Sequence, residues 1–132
     1  MNPVSKDIQS ILAAAGLGLV AGTNLFIGEE PTAPANCVTV YDTPGSAPML
    51  TQDRTERYDH PAIQIKVRNT SYINAQSLIE AIKVELHGLA HHVQGGASYE
   101  LVKCDQDPFS LGKDETGRSM WVCNFSIQRR PI

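Results

Sequence analysis

Cysteine is sparse in this sequence, and the three present do not pair by spacing. Cys37, Cys104 and Cys123 are an odd number, far apart, with no CxxC or CxxH among them. That pattern argues against a disulfide framework and a zinc ribbon, and it suits a reducing compartment. A surplus of positive charge is also lacking. The formal net charge is −3, and Arg129-Arg130 is the nearest thing to a basic cluster, so a nucleic-acid backbone finds no electrostatic footprint. Long apolar runs are missing too. Residues 11–22 are apolar but interrupted by Gly16, Gly18 and Gly22, and the stretch is too short to span a bilayer. Lys6 and Asp7 before it cancel in charge, where a secretory leader is net positive.

The signatures of nucleotide and catalytic chemistry are absent as well. The glycines at 16, 18 and 22 are spaced GxGxxxG and follow a helical pattern, whereas a dinucleotide loop needs GxGxxG at a strand-to-helix turn. No GxxxxGK[ST], HExxH or GxSxG occurs. His87, His91 and His92 are the one histidine cluster, and a small metal-dependent enzyme would have to use them. Gly88 ends the helix that would align them, so they read as a loop after a helix C-terminus. Asp105-Gln106-Asp107 and Asp114-Glu115 lack the calcium-loop ladder and coincide with turn signals. No catalytic, cofactor-binding or metal-binding residue is assigned.

What remains is an ordinary globular composition: 132 residues, 42% hydrophobic and 19% charged, enough for one domain with one core. Val4, Ile8, Ile11, Leu12 and Ala15 recur at helical spacing and predict an amphipathic helix over 3–15, with Lys6, Asp7, Gln9 and Ser10 mostly on its wet side. Asn2-Pro3 opens it and Gly16 stops it. Short strands are expected at 24–27 and 36–41. The clearest strand is 63–68, where Ile63, Ile65 and Val67 alternate with Gln64, Lys66 and Arg68. A second helix over 72–87 carries Ala75, Leu78, Ile79, Ile82 and Leu86 on one side, with Ser71 as its N-cap. Three further strands are expected at 97–103, 109–113 and 119–129, the last two joined by the turn Asp114-Glu115-Thr116-Gly117. The simplest fold for this order is α+β: a mostly antiparallel sheet with two helices packed on one face.

Residues 42–60 show little periodicity and much polarity, which predicts a long exposed loop, uncommon in a compact domain unless it has a task. Arg54, Arg57 and Tyr58 are residue types enriched at protein interfaces. Together with Asp42 they form the first candidate contact. Asp114, Glu115 and Arg118 at the later hairpin form the second.

The succession of these segments resembles the minor capsid or tail-terminator family of long-tailed bacteriophages and prophages. The resemblance rests on Asn24-Leu25-Phe26-Ile27-Gly28-Glu29-Glu30-Pro31, then Asn36-Cys37-Val38-Thr39-Val40-Tyr41-Asp42-Thr43-Pro44-Gly45, then Tyr58-Asp59-His60-Pro61-Ala62-Ile63-Gln64-Ile65-Lys66-Val67-Arg68. The helix from Ser71-Tyr72 to Leu89 and Pro108-Phe109-Ser110-Leu111-Gly112-Lys113 follow in order. It implies a ring, typically of six copies, on the head-proximal end of a tail tube, assembled in a bacterial host and carried in the virion. Such a ring ends tube growth once the tape-measure protein has set the length, and then receives the head connector or head-completion protein. Its partners would be itself, the tube protein and that connector, with DNA passing through the ring, no sequence-specific nucleic-acid contact and no membrane. A head-closure or neck protein is the alternative within the same class. The family carries no catalytic residues.

Overall fold

The computed structural model describes residues 1–50 and 57–132. Two helices, α1 (Val4–Ala13) and α2 (Tyr72–Leu86), accompany seven strands: β1 (Leu25–Ile27), β2 (Cys37–Leu50), β3 (Arg57–Asn69), β4 (His92–Gln94), β5 (Ala97–Cys104), β6 (Phe109–Lys113) and β7 (Ser119–Pro131). They form one sheet in the order β1-β2-β3-β7-β5-β4, with β6 also paired to β7. Every pairing is antiparallel except β1 with β2. β7 is long enough to take β6 along Ser119–Val122 and β5 along Phe125–Pro131, both on the side away from β3. No helix among the described residues is long and apolar enough to cross a membrane.

The period-2 alternation of β3 sets the layers. Ile63, Ile65 and Val67 lie opposite Phe125, Cys123 and Trp121 on one side and opposite Asp42, Val40 and Val38 on the other. This shared face holds the core, where Val4, Ile8 and Leu12 of α1 and Ala75, Ile79, Ile82 and Leu86 of α2 are buried against it. Both helices therefore cover the same side, as the apolar stripes require. Burying each Leu or Ile in such a core contributes about 1.5–3 kcal/mol. Ser71 caps α2 by accepting from the Asn74 backbone N–H at 3.2 Å, and Gly88 follows His87 with a φ of 87°, the left-handed residue that ends a helix.

Three expectations need correction. Within the expected loop 42–60, the described residues are strand: β2 runs to Leu50 and β3 starts at Arg57, paired antiparallel, while 51–56 lie outside the described residues. Its turn signals mark bulges. The register slips between Thr43 and Ser46 and again between Ser46 and Met49, and Pro44, Gly45 and Pro48 sit in those slips. A bulged residue is left out of the ladder, so a proline without an N–H is tolerated there. α1 is also shorter than 3–15. Finally, Asp7 is not on a wet side: it is 1% exposed.

Candidate assembly interface

Bolting the β2–β3 hairpin to the body begins with Asp42. Its carboxylate accepts from the Ser5 backbone N–H at 3.0 Å and from Ser5 Oγ at 2.6 Å. Pro3, the N-cap residue of α1, makes no side-chain cap bond, so the carboxylate that satisfies the first turn comes from a distant strand. Asp42 thus ties β2 to α1 while the residue itself stays exposed. Beyond it the hairpin continues through the pairs Ser46–His60, Met49–Tyr58 and Leu50–Arg57. Tyr58 is half-buried and Met49 is exposed. Arg54 lies outside the described residues, and of Arg57 the structure gives its strand position.

Gly45 lets the two strands approach at the first bulge. A Cβ there would collide with the His60 carbonyl oxygen and lie 2.8 Å from Pro61 Cα. Both obstacles are backbone and cannot rotate away. Gly45→Ala is therefore expected to cost about 1–3 kcal/mol, the range for overpacking, read as a lower urea midpoint with an unchanged m-value.

Helices leave the opposite face of the sheet open. On it lies a groove of about 530 Å³ whose walls include Pro44, Gly45, His60, Leu101, Lys103 and Ser126. The other part of this face is roofed by residues 28–36, and Arg68 fastens the roof. Its Nε donates to Ala35 O at 3.1 Å, its Nη2 to Pro31 O and Pro34 O at 2.7 Å each, and its Nη1 meets Glu30 Oε1 at 3.0 Å. Lys66 reaches the same Glu30 oxygen at 3.3 Å.

At the later hairpin, Asp114 and Arg118 also turn inward. Asp114 Oδ2 receives Arg118 Nε at 2.7 Å, and Oδ1 accepts from the backbone N–H of Thr116 and of Arg118. Partial desolvation of the Asp114 carboxyl is outweighed by the bonds from Arg118 and Thr116, which hold it well below the usual carboxylate range. Arg118 Nη1 also donates to Thr32 O at 2.8 Å, tying the turn to the roof. Glu115 stays exposed at the tip. Next to it, β6 presents Phe109 and Leu111, 37% and 51% exposed, and among the described residues it hydrogen-bonds within the sheet to β7 alone.

The three histidines go to three different partners. His87 Nδ1 accepts from the Cys104 backbone N–H at 2.9 Å, His91 Nδ1 lies 3.0 Å from Glu100 Oε2, and His92 Nε2 lies 3.2 Å from Gln94 Oε1. Among the described residues no three His, Cys, Asp or Glu side chains converge to hold a metal. The polar groups that the sequence reading passed over are Arg68 and a cluster of Asp7, Tyr99 and Arg129. Tyr99 Oη donates to Asp7 Oδ2, and Arg129 Nη1 meets Tyr99 Oη at 3.2 Å and Asn2 O at 3.0 Å. Burial, and then the hydrogen bond to Asp7, push the Tyr99 phenol well above its ordinary pKa.

A family model described as "Bacteriophage tail terminator protein" matches residues 11–130. Among solved structures, a chain of the "Virion of native gene transfer agent (GTA) particle" superposes with a TM-score of 0.68 at 18% identity. The superposition covers 96% of this chain and 94% of that one, a likeness of fold. No curated protein sequence matches.

Proposed function

This chain belongs to the bacteriophage tail terminator family, and from that premise we propose that it closes the head-proximal end of a tail tube as a ring of six copies. It is a structural tail component of a virion and not an enzyme. In the proposed role the ring binds the last layer of tube protein after the tape-measure protein has set the length. It thereby blocks further growth and offers its free side to the head connector, with DNA passing through the opening. The family match from residue 11 to residue 130 carries this reading. The solved chain with the same fold, from a gene transfer agent virion, fits it.

The surfaces support it physically. A closed ring needs two different patches on each copy, one to meet the next subunit and one to meet the previous. The projecting β2–β3 hairpin is one such patch, with Met49 and Tyr58 along it. The β6 edge with Phe109 and Leu111 is another, and an open edge of that kind calls for a cover. The turn around Glu115 suits an axial partner.

Electron microscopy of purified tail tubes incubated with the protein tests the proposal. Extra density is expected at one end of each tube, and a strain lacking the gene should make over-long tubes that do not join heads. A deletion strain with tails of normal length, joined to heads, rejects the role. Density on the portal side alone would instead assign the chain to head closure.

A further inference from the structure

Two of the three thiols, remote in sequence, meet in space. Cys104 closes β5 opposite Phe125, and Cys123 lies two residues before Phe125 on β7, facing the same side of the sheet. Their sulfurs are 2.9 Å apart. Both point at the carbonyl oxygen of Gln106, at 2.7 Å from Cys104 and 3.6 Å from Cys123. Cys37 is buried on β2, which β3 separates from β7. Bonded sulfurs lie about 2.0 Å apart, so joining Cys104 to Cys123 needs a movement of less than about 1 Å.

Access is one-sided. Cys123 is fully buried, whereas Cys104 is half-exposed. It opens onto a cleft of about 400 Å³ lined by Lys83, His87, Gln106 and Asp107. A small reagent can therefore reach Cys104 and not Cys123. That asymmetry is what an attacking thiol and a resolving thiol require.

We propose that Cys104 and Cys123 are a dithiol site that a small-molecule disulfide, such as oxidised glutathione, converts to an intrachain disulfide. The Cys104 thiolate attacks one sulfur of the reagent, an S–S bond forms, and one small thiolate leaves. Cys123, having lost its proton to solvent, attacks Cys104 Sγ and expels the second small thiolate. The protein loses two electrons and two protons, and the reagent is reduced to two thiols. The new bond pins β7 at the point where its neighbour changes from β5 to β6. Burial, then the hydrogen bond with Cys104, hold the Cys123 thiol well above its ordinary pKa. The closing step is thus slow at neutral pH and speeds up about tenfold per pH unit, as thiolate-limited exchange does.

The test uses the full-length reduced protein, incubated with oxidised glutathione at pH 8.5, quenched with acid, denatured and alkylated. The expected product is lighter by two hydrogens than the reduced chain and takes up alkyl label at Cys37 alone. Trypsin without reductant should then release residues 104–113 linked to residues 119–129. In Cys123→Ser the reaction should stop at a glutathione adduct on Cys104, and in Cys104→Ser no adduct should form. Wild-type protein that keeps glutathione on Cys104, retains all three alkylatable cysteines, or links Cys37 to either partner overturns the proposal. The wild-type peptide map decides the matter even where a serine variant fails to fold.

Discussion

Replacing Arg68 by alanine is expected to remove about 3–5 kcal/mol of stability, the range for stripping one partner from a buried ionic network. Its side chain is 3% exposed and its guanidinium holds Glu30 together with the carbonyls of Pro31, Pro34 and Ala35. Without it the carbonyls of Pro31, Pro34 and Ala35 lose its donors, and each buried group left unsatisfied costs about 1–3 kcal/mol. Lys66 would still donate to Glu30 at 3.3 Å. Arg68→Lys should rescue little, because an ammonium is a point charge and cannot spread donors over a fork of several acceptors. Urea unfolding of both variants checks this. A loss below about 1 kcal/mol for Arg68→Ala, typical of exposed pairs, would mean that the roof is not fastened through this residue.

Why Arg68 escaped the sequence reading is instructive. Alternation along β3 places it with Gln64 and Lys66 on the face that no helix covers, and such a face ordinarily meets water. Nothing local announces that residues 28–36 fold back across it. The helices, the core face and the hairpin from β6 to β7 were legible because each depends on periodicity or on a local turn. The β2–β3 hairpin was not. Pro44, Gly45, Pro48 and Pro61 are strong loop signals, and only the register shows that they coincide with bulges in continuous strands. β4 escaped for a different reason: its three residues hold one apolar side chain, Val93, between polar neighbours, whereas the equally short β1 is the all-apolar run Leu25-Phe26-Ile27.

The candidate contacts were chosen by residue type, and three of them bond within the subunit. Asp42, Asp114 and Arg118 are the polar residues that a surface reading selects, yet Ser5, Thr116 and Thr32 already occupy them. Charge at a turn is as readily a fastening for that turn as an offer to a partner. Tyr58 is half-buried on β3, and Glu115 is exposed at its turn. The two adjacent thiols were invisible in the sequence for the same non-local reason as Arg68, since nineteen residues and a change of strand separate them.

Asp7 is the site of the second large effect, and here the sequence did carry a signal. It stands three residues after Val4 and four before Ile11, which puts it on the apolar stripe of α1. At 1% exposure it accepts from Tyr99 Oη and from Asn2 Nδ2 at 3.1 Å, with Arg129 Nη1 at 3.9 Å. Gly95 presses on it so closely that a Cβ there would strike Asp7 Oδ1. Asp7→Ala is expected to cost about 3 kcal/mol, because it strands a phenol and part of a guanidinium inside the fold. Tyr99→Phe should cost about 1 kcal/mol, one hydrogen bond, and should change the pH profile as well. The folded phenol is raised above its unfolded pKa of about 10. Its contribution is therefore whole below that pH and is lost as pH climbs beyond it. The slope is up to about 1.4 kcal/mol per pH unit while the unfolded chain ionises and the folded one does not. Tyr41, Cys37 and Cys123 are raised in the same direction, so an alkaline decline persists in the variant, but with a shallower slope. Urea titrations of wild type and Tyr99→Phe between pH 8 and pH 11 separate the two cases. Parallel curves would show that Asp7 and Tyr99 share no buried proton, and that α1 is held to β5 by packing alone.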